Sequence, residues 1–386
     1  MVKGRARCIK GGRIVLENQI LLESVLIFED TILSVVDEKE FFRHHAAPDM
    51  EIIDAKGKYV SPGFIDIHTH GAGGRDAMDG RVSELQELAC SVARSGVTGF
   101  LPTTISMGWG NISRALDSIR TAMTQPPLGA RILGAHLEGP FINPRYAGAH
   151  RKEYVQKPDL DRVVRYQDVL RIITMAPELD PESIWIKHMK DQTQIVLSMG
   201  HTEADYDTAA AAIKAGISSA THLFNAMPTI HHRRPGPVVA ILNSGIFFEL
   251  IADTRHVHPA MFPLLLGMSG RQRMILVTDA MRAAGMQPGA WELGGQKVIV
   301  DEQTARLKDG TLAGSILQMN QAVRNMLDHT DLSMWEAVNL ASLNPARLLG
   351  LDQTKGSLRP GKNADILIFD EQLNIQEVYV EGQQVY

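Results

Sequence analysis

Two cysteines in 386 residues, Cys8 and Cys90, exclude a disulfide framework, and neither stands in a paired spacing that would bind a metal or run redox chemistry. Blocks of like charge are missing too. The chain has 39 Lys and Arg against 44 Asp and Glu, interspersed, for a formal net charge of -5. That excludes the electrostatic footprint of a nucleic-acid or anionic-membrane binder, and a small-molecule substrate is expected instead. No apolar run approaches the ~20 residues of a membrane span, and the basic stretch from Met1 to Arg13 lacks the apolar segment of a signal peptide. A cytoplasmic protein is expected. Low-complexity tracts and solenoid repeats are absent as well.

What the sequence does have is a set of five apolar runs, each ending in a side chain able to bind a metal or carry a proton. They close on His68 and His70, on Glu138, on His201, on His222 and on Asp279. Runs of this length read as strands buried on both faces, and polar residues at their C-terminal ends suggest one shared site at one rim of a parallel barrel. Eight strands are predicted between 64–70, 98–104, 131–138, 172–177, 195–201, 217–223, 247–253 and 274–279. Helix-like segments alternate with them, including 81–95, stopped by Gly96, and 204–215, stopped by Gly216. Eight βα alternations predict a TIM (β/α)8 barrel, with a Gly-rich and β-like excursion over 285–301 and closing helices at 315–328 and 333–341.

Both ends of the chain have a different texture, with short strand-like runs separated by Gly, Asn and Asp turns. Chain ends commonly lie close together and exposed sheet edges need partners, so the two should pair as one discontinuous β-sandwich. The expected division is 1–60 and 351–386 for the sandwich and 61–350 for the barrel.

In a strand, residues i and i+2 share a side, so His68 and His70 can both face the barrel mouth, a preorganised half-site for a divalent ion. A lone His-x-His pair is weak on its own, but together with Glu138, His201 and His222 it describes one metal centre. A bound metal lowers the pKa of water and polarises a carbonyl. Amide hydrolysis then needs a carboxylate to carry the water's proton to the leaving nitrogen, and Asp279 suits that task, whether or not it also ligates the metal.

These residues sit in motifs that carry a resemblance. The run from Pro62 to His70 resembles the first-strand signature of the amidohydrolase superfamily. His136-Leu137-Glu138-Gly139-Pro140-Phe141, Gly200-His201-Thr202, Thr221-His222-Leu223-Phe224-Asn225-Ala226-Met227-Pro228, Val277-Thr278-Asp279-Ala280 and Leu312-Ala313-Gly314-Ser315 look like the N-acetylglucosamine-6-phosphate deacetylase family within it. The resemblance runs through nearly the whole chain. It implies hydrolysis of the acetamide of N-acetyl-D-glucosamine 6-phosphate in amino-sugar catabolism. It also implies a principal metal on Glu138, His201 and His222, Asp279 as acid/base, and His150 polarising the acetyl carbonyl. Asn225, Ala226 and His256 would meet the sugar phosphate, and Ala149, Leu312, Ala313 and Gly314 would line the sugar pocket. Arg233 would reach the substrate of a neighbouring subunit in a homodimer. With His68 and His70 intact, one or two ions per subunit are open, zinc first, with iron, cobalt or manganese also suited.

Where relatives often carry a small residue and a leucine, this chain has Thr254-Arg255-His256, so Arg255 either touches substrate or faces solvent. His136 shares strand parity with Glu138 and either orients it or fills the barrel. His231 and His232 read as surface residues, His44 and His45 as a solvated polar turn, and His188, His258 and His329 have no site context. Three rivals stand beside the main reading: the same chemistry on N-acetylgalactosamine 6-phosphate, a cyclic-amide hydrolase using a carboxylated lysine, and a non-catalytic assembly protein that kept the barrel.

Overall fold

Short apolar runs can be buried on both faces only where something packs on each side, and all eight predicted runs contain strands of this kind. The computed structural model describes residues 6–44, 50–269 and 271–386. The strands are β1 (Phe64–Thr69), β2 (Val97–Thr104), β3 (Ala135–Glu138), β4 (Leu170–Met175), β5 (Val196–Met199), β6 (Ser219–Ala220), β7 (Phe248–Ile251) and β8 (Met274–Val277). From β1 to β6 they pair in chain order, every pair parallel, as one curled sheet. β7 and β8 form a separate parallel pair. Backbone hydrogen bonds span both gaps: Ala220 N donates to Phe247 O at 3.0 Å, and His70 N donates to Ala280 O at 2.9 Å. The architecture is mixed α/β around a curled parallel half-barrel, and one hydrophobic cluster runs through all of these strands and the helices outside them.

The predicted helices form with trimmed ends, as Val82–Ala93 and Tyr206–Ala215. Asp205 caps the second by accepting from Thr208 N at 2.8 Å. The helix expected from 315 begins only at Met319, because the backbone before it is committed elsewhere. Ser315 N donates to Asp279 O and its hydroxyl to Thr278 O, tying this segment to the end of β8. The excursion after β8 is a three-stranded antiparallel sheet, Gly289–Leu293, Gln296–Val300 and Ala305–Arg306.

Strands from the two chain ends share a six-stranded sheet, ordered Gln383–Gln384, Ile375–Val380, Ile366–Phe369, Tyr59–Pro62, Arg13–Val15 and Ile20–Leu21. A four-stranded sheet, Ile32–Asp37, Ser24–Phe28, Arg7–Lys10 and Glu51–Asp54, comes from the N-terminal part alone. A hydrophobic cluster joins them, with Ile9, Leu26 and Phe28 from the smaller sheet against Ile14, Val60, Ile366 and Tyr379 from the larger. Among the described residues no helix is long and apolar enough to cross a membrane.

Two expectations need correction. The run 217–223 yields only the two-residue β6, because positive φ at His222, Phe224 and Ala226 turns the chain out of the sheet. His44 is not in a turn: it is the exposed last residue of a short helix, Glu38–His44, while His45 lies outside the described residues.

Candidate active site

The three strands whose site residues were expected at their very ends stop two residues earlier. His201 follows Met199, His222 follows Ala220 and Asp279 follows Val277, each at positive φ (49°, 30° and 45°). A non-glycine residue adopts that region only at a cost, which the surrounding hydrogen bonds sustain and which clusters at working sites. Asp279 N donates to His68 O at 2.8 Å and His222 N donates to the Glu249 carboxylate at 3.1 Å, so the strained turns are held from both sides. The regular end of β1 carries His68, with His70 just beyond it, and Glu138 is the last residue of β3.

Glu138 is the centre. Its Oε1 lies 3.1 Å from Nε2 of His201, 3.1 Å from Nε2 of His222 and 3.4 Å from Nε2 of His68, and its Oε2 lies 3.1 Å from Nε2 of His70 and 3.3 Å from Nε2 of His150. Asp279 Oδ1 lies 3.4 Å from His68 Nε2 and 3.3 Å from His70 Nε2. Three of the Nδ1 atoms, those of His68, His70 and His201, are committed. His68 Nδ1 meets Glu249 Oε2 at 2.8 Å, His70 Nδ1 the Thr103 carbonyl at 3.1 Å, and His201 Nδ1 the Tyr146 carbonyl at 2.8 Å. Each Nδ1 therefore donates, which leaves Nε2 as the atom free to hold a cation. His68 Nε2 has no hydrogen-bond partner although fully buried, and the Nε2 atoms of His201 and His222 face each other at 3.0 Å. Such a donor set suits a divalent metal, and two groupings, His68 with His70 and Glu138, and His150 with His201 and Glu138, bring ligand atoms within 4.8 Å of one another.

Burial opposes the charged form of His70, but Asp279 and Glu138 outweigh burial and push the ring up to about 10; Glu138, Glu249 and Asp279 raise His68 in the same way. Asp279 is held well below the usual carboxylate range, with burial overcome by His68 and His70. His150 goes the other way: burial pushes it down to about 4, so it is neutral at physiological pH. Its Nδ1 accepts from Ser106 N at 3.1 Å and lies 2.8 Å from the Ser106 hydroxyl, which puts the ring proton on Nε2, pointing inward. A Cβ on Gly139, at φ 68°, would stand 2.1 Å from the Ser106 hydroxyl, so only glycine fits behind this pair.

These groups open on a cavity of about 370 Å³ lined by His70, Glu138, Ala149, His150, His201, His222, Asn225, Ala226, His256, Asp279, Leu312 and Gly314. Ala313 does not share that lining: it is fully buried in the cluster with Ile105, Met281 and Leu293. Arg233 is exposed and bonds its own neighbour, His232 Nε2, at 2.8 Å. Arg255 opens on a separate hollow beside Gln303 and Asn325, not on this cavity. His136 bonds Ile67 O at 3.0 Å and Thr174 Oγ1 at 2.7 Å, so of its two readings it fills the barrel interior rather than orienting Glu138. His188, His258 and His329 are exposed, as is His232, whereas His231 is half-buried.

Sequence reasoning missed several supporting groups. Asp253 Oδ2 meets His256 Nδ1 at 2.6 Å while Oδ1 accepts from Arg255 N and His256 N, which fixes the ring. Asp66, pushed up to about 7 by burial, accepts from the Thr278 hydroxyl at 2.6 Å and ties β1 to β8. Glu249 lies beneath His68 and His222. Asp66 and Glu249 left a signal, since a carboxylate inside an apolar strand persists only where something bonds it. Ser106 and the carbonyls of Thr103 and Tyr146 left none.

The amidohydrolase family profile matches residues 59–385. An N-acetylglucosamine-6-phosphate deacetylase of Bacillus subtilis (strain 168) is 42% identical, over 93% of this chain and 92% of its own. An N-acetylgalactosamine-6-phosphate deacetylase of Escherichia coli O157:H7 is 38% identical, over 86% of this chain and 89% of its own. A solved structure of a mutant N-acetyl-D-glucosamine-6-phosphate deacetylase from Mycobacterium smegmatis, in complex with N-acetyl-D-glucosamine-6-phosphate, superposes with a TM-score of 0.90 at 30% identity. It covers 99% of this chain and 100% of that one.

Proposed function

This chain belongs to the amidohydrolase family, and from that membership we propose that it hydrolyses the acetamide of N-acetyl-D-glucosamine 6-phosphate to D-glucosamine 6-phosphate and acetate. The observation that carries the reading is the convergence of Asp279, Glu138, the Nε2 atoms of His70, His201 and His222 and the inward N–H of His150 on one cavity, with His68 buried directly behind it. Glu138, His201 and His222 would hold the principal divalent ion, and His68, His70 and Glu138 a second. Such an ion, when bound, lowers the pKa of water and polarises the acetyl carbonyl. Asp279, ionised at neutral pH, accepts the proton of the attacking water and returns it to the departing nitrogen, because an amine leaves only once protonated. His150 donates from Nε2 to the carbonyl oxygen as negative charge grows there, and its neutrality keeps that donor at fixed strength across physiological pH.

Asn225, Ala226 and His256 would take the phosphate. Alternating positive φ at His222, Phe224 and Ala226 supports this, since such backbone forms concavities of N–H groups that hold anions. Leu312, Gly314 and Ala149 would contact the sugar. Arg233, free of any acidic partner on its own subunit among the described residues, would reach across a homodimer to a neighbouring substrate. In the same reading the eight strands close as a TIM barrel over 61–350, and 1–60 with 351–386 form the terminal sandwich of a cytoplasmic enzyme. The hydrogen bonds across both strand gaps and the sheet shared by the chain ends support that division. No lysine lines the cavity, which tells against a carboxylated-lysine hydrolase.

Acetate release from N-acetylglucosamine 6-phosphate and N-acetylgalactosamine 6-phosphate, measured side by side, tests the reading, with Asp279→Asn as control. The glucosamine compound should react faster, and the variant should lose at least about a thousandfold in kcat. A faster galactosamine reaction keeps the mechanism and changes the substrate. No reaction with either overturns the phosphate-site assignment.

A further inference from the structure

Glu249 is fully buried within the apolar run Phe248-Glu249-Leu250-Ile251 of β7, where an ionised carboxylate is costly unless it is bonded. Among the described residues its bonds go to two. Oε2 accepts from His68 Nδ1 at 2.8 Å and from His222 N at 3.1 Å, while Oε1, equally buried, has no partner among the described residues. A carboxylate kept merely for packing would be replaced without loss by an apolar side chain of similar size. This one instead joins the two halves of the centre, His68 from β1 and His222 from the turn after β6.

The consequence falls on His68. Because Glu249 takes the Nδ1 proton, Nε2 is left without a hydrogen bond, 3.4 Å from Glu138 Oε1 and 3.4 Å from Asp279 Oδ1. With no acceptor at Nδ1, the ring would gain by carrying its proton on Nε2, donating to those carboxylates and closing the position to a cation. His70 does not depend on this device, since the fixed Thr103 carbonyl takes its Nδ1 proton.

We propose that Glu249 is a positioning residue that keeps His68 in its ligating form and so decides whether the first-strand half of the centre takes a divalent cation of its own. The proposal rests on reading the cluster as a metal centre. It is tested on the metal-free full-length chain, titrated with Zn2+ by calorimetry, with bound metal counted afterwards. The wild type should show two binding events per chain. Glu249→Gln keeps size and shape and removes the charge, and it should weaken one event about 10- to 100-fold, the range for groups that orient a metal's ligands, leaving the other within about twofold. In a His68→Gln background the same change should add no further loss, because the two act as one unit. Unchanged affinities in Glu249→Gln, losses that add in the double variant, or a single event in the wild type would each overturn the proposal. Absence of any binding to the wild type would instead sink the metal-centre reading. Should Glu249→Gln not fold, nitrogen NMR of Zn2+-loaded wild type decides: the proposal requires the His68 proton on Nδ1, and a proton on Nε2 refutes it.

Discussion

Lys355 and Asp365, beside the terminal sheets, are nearly as buried as Glu138 and its histidines, yet the two networks are satisfied in opposite ways. Near the chain ends the buried polar groups are bonded. Lys355 Nζ meets Asp365 Oδ2 at 2.6 Å, Asp365 Oδ1 accepts from Glu381 N at 2.9 Å, and Lys362 Nζ donates to Lys355 O and to the Ser357 hydroxyl. At the strand ends His68 Nε2 and His222 Nδ1 lack partners among the described residues, and two imidazole nitrogens face each other. A closed network specifies structure, whereas an open one in an otherwise well-bonded protein marks room for a guest.

The largest effect that could break this contrast is metal removal. Dialysis against a chelator should lower deacetylation by at least about a thousandfold, and adding back one divalent ion should restore it. Activity that survives verified metal loss would make the open network something other than a metal centre. The closed network fails differently. Lys355→Met leaves Asp365 buried without its cation and should destabilise the fold by about 3–5 kcal/mol in denaturant titrations, with kcat per folded molecule unchanged. Exchanging both partners for apolar residues should recover most of that loss, and if it does not, the pair contributes more than its mutual charge.

Legibility in the sequence follows the same division. The eight strands and the pairing of the chain ends were readable because burial on both faces writes itself as apolar runs. Glu138, His201, His222 and Asp279 were readable because those runs stop at polar residues. The turns that carry His201, His222 and Asp279 were not, since a positive φ at a histidine or aspartate is imposed by hydrogen bonds from elsewhere in the chain and has no local pattern. The Ser106 bond to His150 and the carbonyls behind His70 and His201 are equally silent, because backbone acceptors are present at every position. Nor does the sequence mark which of Leu312, Ala313 and Gly314 turns away: Leu312 and Gly314 line the cavity, while Ala313 is buried in the cluster behind it.

Asp253→Asn probes a bond between these extremes, one that orients a residue lining the cavity without touching the metal ligands. Burial opposes its charge, but His256 holds Asp253 below the usual carboxylate range. The amide keeps the shape and loses the charge-assisted bond, about 1.5 kcal/mol or roughly tenfold. The effect should fall on KM for the phosphorylated sugar, with kcat within about twofold. Loss of kcat instead would place His256 in the chemistry rather than in phosphate binding.

The smallest predicted effect lies where the closed network meets the half-barrel. Arg131, just before β3, reaches Glu381 with Nη2 at 2.5 Å, and Lys355 stands 3.8 Å from the same carboxylate. Burial works against the charge of Glu381, yet these cations outweigh it and its pKa is lowered from 4.5. A carboxylate whose folded pKa is depressed stabilises the fold fully above its unfolded value, and that contribution fades as pH falls through the lower folded one. Partial exposure and salt screening limit it to about 1 kcal/mol or less. Glu381→Gln should therefore unfold more easily than wild type at pH 7 by that amount, while the two should converge once the pH falls below the depressed folded pKa of Glu381. A gap that persists in acid would mean that Arg131 holds the chain end by shape and hydrogen bonding, and that the closed network does not owe its stability to charge at this point.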